Sequence, residues 1–260
     1  MVHIYTSAEP PVPIPSVDIS TYLFSPDFAR PTDSPSNRLL VTSTSSPSAS
    51  LTTQSVQSLA RQLGAGLTSI WSAGITPLLP SSPLPLAPGS APSRFSAEES
   101  KTTCLLFSPN TTTFALALLA GLLSPKGIIL TLANSSYTAS ELRHQIVDSR
   151  AGLILVHPEL LGVVEECLGG EGGGAGGGWR ERVVLMGDEL EGGKRVSGYR
   201  QFEELRVREE EEVKRLLAGK RPDPEDVAFL CYSSGTVSTV ILHLTRGVWT
   251  VLTAVTSGDR

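Results

Sequence analysis

Phe229-Leu-Cys-Tyr-Ser-Ser-Gly-Thr236 is the stretch that decides the fold. Val227 to Leu230 is a short run of apolar or small residues, the pattern of a strand buried in a parallel sheet. It runs into Tyr232-Ser233-Ser234-Gly235-Thr236, a hydroxyl-rich turn with one glycine. A glycine frees backbone amides from side-chain crowding, and with Ser and Thr hydroxyls beside it such a turn can wrap phosphate oxygens. A loop that grips phosphate also needs a cation. None follows in place: the chain continues Val-Ser-Thr-Val-Ile-Leu-His-Leu-Thr-Arg246, and its last lysine is Lys220.

Upstream, short apolar runs alternate with helical patterns. Strands are expected at Thr103–Phe107, Gly127–Leu132, Gly152–Val156 and Arg182–Met186, and a further one at Val227–Cys231, set apart by a charged helix and so open to a different sheet. Helices are expected from Leu51 to Leu63, with Thr52 or Thr53 as cap and Val56, Leu59, Ala60 and Leu63 as one stripe. Others fall at 111–123, apolar all round and hence buried, and at Tyr137–Ser149, with Thr138 and Glu141 spaced as a capping box. Two more follow at Pro158–Leu168 and Gln201–Leu217, the last with Glu210–Lys214 and Glu211–Arg215 pairs. Strands alternating with helices imply right-handed crossovers and an α/β fold, a mostly parallel sheet flanked by helices.

Three segments stand outside this pattern. Residues 1–50 are rich in Pro, Ser and Thr and read as an extended entry segment, clamped by Ile14, Tyr22, Leu23 and Phe24. Residues 72–100 hold six prolines and read as an irregular loop, and the glycine run 169–178 reads as a linker. A dinucleotide fingerprint would need a strand before those glycines and a helix after them; here a helix precedes and Trp179-Arg-Glu-Arg182 follows. The domain expectation is therefore 1–50 entry, 51–236 partial α/β domain, and 237–260 a divergent, poorly anchored tail with some strand character.

Composition excludes several classes. A hydrophobic content of 40% supports a core, and a net charge of -5 gives no footprint for nucleic acid. Cys104, Cys167 and Cys231 form no Cys-x-x-Cys and read as buried thiols of a reducing compartment. His3, His144, His157 and His243 show no metal spacing and no neighbouring Asp or Cys that suggests a triad, so no catalytic or metal residue is assigned. No signal peptide or span of membrane length is read, and a cytoplasmic protein is expected.

Tyr232-Ser-Ser-Gly-Thr236 after an apolar strand resembles the phosphate-loop signature of the adenylate-forming acyl-CoA synthetases, near the 4-coumarate–CoA ligases. The likeness continues upstream in family order: Ile4–Pro15 with Tyr22-Leu-Phe24, Leu106-Phe-Ser-Pro-Asn110, then Asn134-Ser-Ser-Tyr-Thr138 with Glu141, Leu142, Gln145, Asp148 and Ser149. Val156–Leu161 and Gly198–Leu205 complete it. Two departures stand out: Ser135 replaces the usual proline, and after Thr236 the family's further Thr-Gly and Pro-Lys-Gly are missing. The resemblance implies an acid–thiol ligase, with ATP and Mg2+ as cofactors, coenzyme A as co-substrate, and a small-molecule carboxylic acid as partner. It implies nucleotide contacts at Ser233, Ser234, Gly235 and Thr236, and leaves the peroxisome open as a location. The missing lysine implies a chain inactive by itself; the rival reading is a non-catalytic α/β binding or scaffold module built on the same fold.

Overall fold

The computed structural model describes residues 17, 22, 39–41, 50–79, 102–169, 178–188, 190, 194–219, 226–232, 238–245 and 248–254, with 39–41, 238–245 and 248–254 described by backbone alone. Its centre is a sheet whose strands have short, continuously apolar sequences, because helices cover both faces. β3 (Thr103–Phe107) lies between β4 (Ile129–Ala133) and β5 (Ala151–Val156), parallel to both. β6 (Val183–Leu185) and the two-residue β7 (Arg200–Gln201) extend the parallel sheet beyond β5.

The strand Phe229–Cys231, β8, pairs parallel with β4 through Phe229↔Leu130 and Cys231↔Leu132. It therefore belongs to the same sheet, a placement that the sequence leaves open. The segment between β7 and β8 acts as a long crossover back to the opposite side. Beyond β8, β9 (Ser238–Thr245) and β10 (Val248–Ala254) form an antiparallel hairpin, and β9 pairs with β8. The order is β10-β9-β8-β4-β3-β5-β6-β7.

Strand alternation divides the core into two layers. Leu105, Phe107, Ile154 and Val156 face the helices α3 (Ala139–Asp148) and α4 (Leu161–Gly169). Cys104, Leu106, Leu130 and Leu155 face α1 (Thr53–Ser72) and α2 (Thr112–Leu123). α1 runs nine residues past the expected Leu63, because Leu67 keeps the stripe going and the Gly64-Ala65-Gly66 step lets neighbours approach the backbone. Thr52 is its cap, accepting from Ser55 N at 3.2 Å.

Several expectations need correction. Gln201–Leu217 is not one helix: β7 and a 3-10 turn at Phe202–Leu205 come first, and α5 covers only Glu210–Leu217. Phe202 and Leu205 are drawn into the core below α1, which breaks the helical path. The ion pairs on α5 are i,i+3, Glu211–Lys214 at 2.8 Å and Glu212–Arg215 at 2.5 Å, rather than i,i+4. Leu78 and Leu79, within the stretch expected to be irregular, are buried in the α3–α4 layer, while 80–100 lie outside the described residues, as do 170–177 of the glycine run. Tyr22, expected as a clamp, is 52% exposed, and the entry segment contributes a small ribbon, β1 (Leu39–Val41) against β2 (Leu51–Thr52). Ile14, Leu23 and Phe24 lie outside the described residues.

Candidate functional site

In an open α/β sheet, ligands gather where the strands end in their carboxyl direction. At that edge Tyr232 leaves β8, and the next four residues are Ser233, Ser234, Gly235 and Thr236. Those four lie outside the described residues; the strand that delivers them is described, and residues 232–237 join β8 to its antiparallel neighbour β9.

The delivery strand is tied to α3 by a polar ladder. Gln145 on α3 donates from Nε2 to Thr131 Oγ1 at 2.7 Å and to Leu132 O at 3.2 Å. Thr131 Oγ1 in turn donates to Leu230 O of β8 at 3.2 Å. At the end of the strand, Tyr232 Oη donates to Asp148 Oδ2 at 2.5 Å. Burial, followed by the Asp148 charge, pushes the phenol far above its ordinary range, so it remains a donor. α3 is itself fixed by its capping box: Thr138 N and Oγ1 donate to Glu141 Oε2 at 2.9 and 2.8 Å, and Glu141 N donates to Thr138 Oγ1 at 3.4 Å. Thr138, Glu141, Gln145 and Asp148 were all legible as a segment; their pairing with β4 and β8 was not.

The neighbouring strand ends hold a second cluster. Thr111 caps α2, accepting from Phe114 N at 3.1 Å, and Thr113 Oγ1 donates to Gly187 O after β6. His157, after β5, is buried at 5% exposure; its Nδ1 accepts from Glu159 N at 3.4 Å, and Nε2 lies 3.4 Å from Asp188 Oδ1. An accepting Nδ1 puts the proton on Nε2, facing Asp188. The expectation that His157 has no neighbouring Asp is therefore wrong, because β6 brings Asp188 beside it across 31 residues of chain. The pair bridges two strand ends, and both ring nitrogens are engaged. Cys104 and Cys167 are buried, and Cys231 is half-buried. Among the described residues no group of three His, Cys, Asp or Glu could hold a metal ion, and no helix is long and apolar enough to cross a membrane.

Parallel α/β sheets of this kind bind their ligands outside the carboxyl ends of the strands. The profile of the AMP-binding enzyme family matches residues 98–239, more than half of the chain, and the chain belongs to that family. The match runs three residues past Thr236, where the motif resemblance stops. No curated protein matches the sequence significantly.

Solved structures show the same fold. An acyl-CoA synthetase of Brucella canis is 14% identical with a TM-score of 0.54, over 89% of this chain and 34% of that one. A benzoate CoA ligase from Burkholderia xenovorans is 16% identical with a TM-score of 0.52, over 87% and 34%. The anthranilate CoA ligase AuaEII, in complex with anthranoyl-AMP, is 16% identical with a TM-score of 0.50, over 82% and 31%. The chain spans about a third of the length of these ligases. It is an N-terminal part of the adenylate-forming architecture.

Proposed function

We propose that this chain is the loop-bearing part of an acid–thiol ligase, and that as a 260-residue chain it does not catalyse adenylation. In the reaction read here, a carboxylate oxygen attacks the α-phosphate of ATP, pyrophosphate leaves, and the thiol of coenzyme A later displaces AMP from the acyl-adenylate. Family membership supports this reading, with the small aromatic acids of the ligases above as the substrate class nearest to hand. The assignment of Ser233, Ser234, Gly235 and Thr236 rests on donor chemistry: three hydroxyls and an uncrowded amide suit phosphate oxygens. Mg2+, when bound with the nucleotide, would supply further charge neutralisation.

The observation that carries the inactive reading is the sequence after the loop. Residues 237–254 contain no lysine, and Arg246 and His243 are their only basic groups. Charge developing on the leaving pyrophosphate needs preorganised positive charge, and removing one such donor typically costs about 100- to 1000-fold in rate. On this reading 1–50, 51–236 and 237–260 are the entry, nucleotide-loop and divergent segments. Acid-dependent ATP–pyrophosphate exchange by the purified chain is the test. Background exchange with benzoate, anthranilate and 4-coumarate is expected; robust exchange with any carboxylic acid would overturn the reading.

A further inference from the structure

β8 is three residues long, yet it sets the direction in which the chain enters Ser233–Thr236. Its ladders to β4 and β9 both end at Cys231, so backbone pairing does not hold the next residue, Tyr232. Tyr232 is the last described residue before the loop, and its side chain turns back to pack against the cluster of Ile129, Val227 and Leu230. Its hydroxyl reaches Asp148, 84 residues earlier, on the helix whose Gln145 already holds β4 and, through Thr131, β8. A phenylalanine would pack equally well at this position, so packing does not explain the hydroxyl. We propose that Asp148 is a positioning residue: by holding the Tyr232 phenol to α3, it fixes the exit of β8 and so the direction in which the chain leaves that strand. The functional weight of that direction rests on the reading of 233–236 as a phosphate loop; the anchor itself does not.

Amide hydrogen exchange on the full chain without nucleotide tests the anchor alone. In Tyr232→Phe and in Asp148→Ala, Cys231 and Tyr232 amides should exchange about tenfold faster, the effect expected from losing a hydrogen bond to a charged group. Asp148→Asn keeps an acceptor oxygen and should restore protection, and the double variant Tyr232→Phe/Asp148→Ala should be no worse than either single change. Amides of Leu153–Val156 in the central strand should stay unchanged throughout. The proposal is overturned if protection at Cys231 and Tyr232 survives both single variants, if Asp148→Asn fails to restore it, or if the central strand loosens equally, which would mark a general structural role. ATP–pyrophosphate exchange by the unmodified chain would refute the inactive reading and leave the anchor standing, so the two failures are distinguishable.

Discussion

At the start of α3 two side chains, Thr138 and Glu141, each satisfy the other's backbone N–H. The Thr138 hydroxyl accepts from Glu141 N, while the Thr138 N–H and O–H donate to the Glu141 carboxylate. Those two donors, the backbone N–H first, hold the Glu141 carboxyl below the usual carboxylate range. A carboxyl lowered by folding contributes stability above its unfolded pKa and loses it as pH falls through the folded value. An NMR titration of side-chain carboxyls should find Glu141 titrating low in the unmodified chain and higher in Thr138→Ala, which removes the hydroxyl donor and keeps the backbone one. Equal titration in both would remove the capping box from the account. This box was legible from the Thr-x-x-Glu spacing, because both partners lie on one turn of helix. The Asp148–Tyr232 and His157–Asp188 contacts were not, because sheet order brought their partners together and sequence spacing carries no trace of it.

At the scale of the elements, α1 shows how close approach is built. A Cβ placed on Gly66 would sit 1.8 Å from Leu205 O, a backbone atom that cannot rotate away. Gly66→Ala should therefore lower the unfolding free energy by about 3 kcal/mol, the upper end for overpacking. Gly162, near the start of α4, has nothing within 4 Å of such a Cβ, and Gly162→Ala should raise stability by roughly 0.5 kcal/mol through helix propensity. Chemical denaturation of the two variants checks the contrast; equal effects would mean that α1 and the 202–205 turn are not in contact. The strands β3, β4 and β5 were legible because buried parallel strands are apolar runs bounded by turns. The break before α5 was not: the charge pattern of 201–217 reads as one helix, and only the docking of Phe202 and Leu205 under α1 reveals the interruption. The placement of β8 beside β4 was equally hidden, since a crossover leaves no local signal of which strand it returns to.

Across the whole molecule, the two-layered core shields two of the three thiols, Cys104 and Cys167. Cys104 is fully buried and Cys167 nearly so, and burial pushes both thiols up, Cys167 to about 11. A thiol raised by folding contributes stability below its unfolded pKa and loses it as pH rises through the folded value, here near pH 11 for Cys167. Because the thiolate is the reactive form, a thiol reagent at pH 8 should label Cys104 and Cys167 only as fast as the chain unfolds. Rapid labelling of either in the native chain would contradict the packed sheet.

The proposed phosphate loop, Ser233–Thr236, follows β8 in sequence, and the residues after it carry no lysine. Binding of Mg-ATP to the purified chain, followed by equilibrium dialysis, tests that claim most directly. No saturable binding tighter than about 1 mM is expected, which corresponds to roughly 4 kcal/mol of binding free energy. Saturable binding at about 10 μM or below would mean that the grip is complete without the lysine, and would contradict that claim.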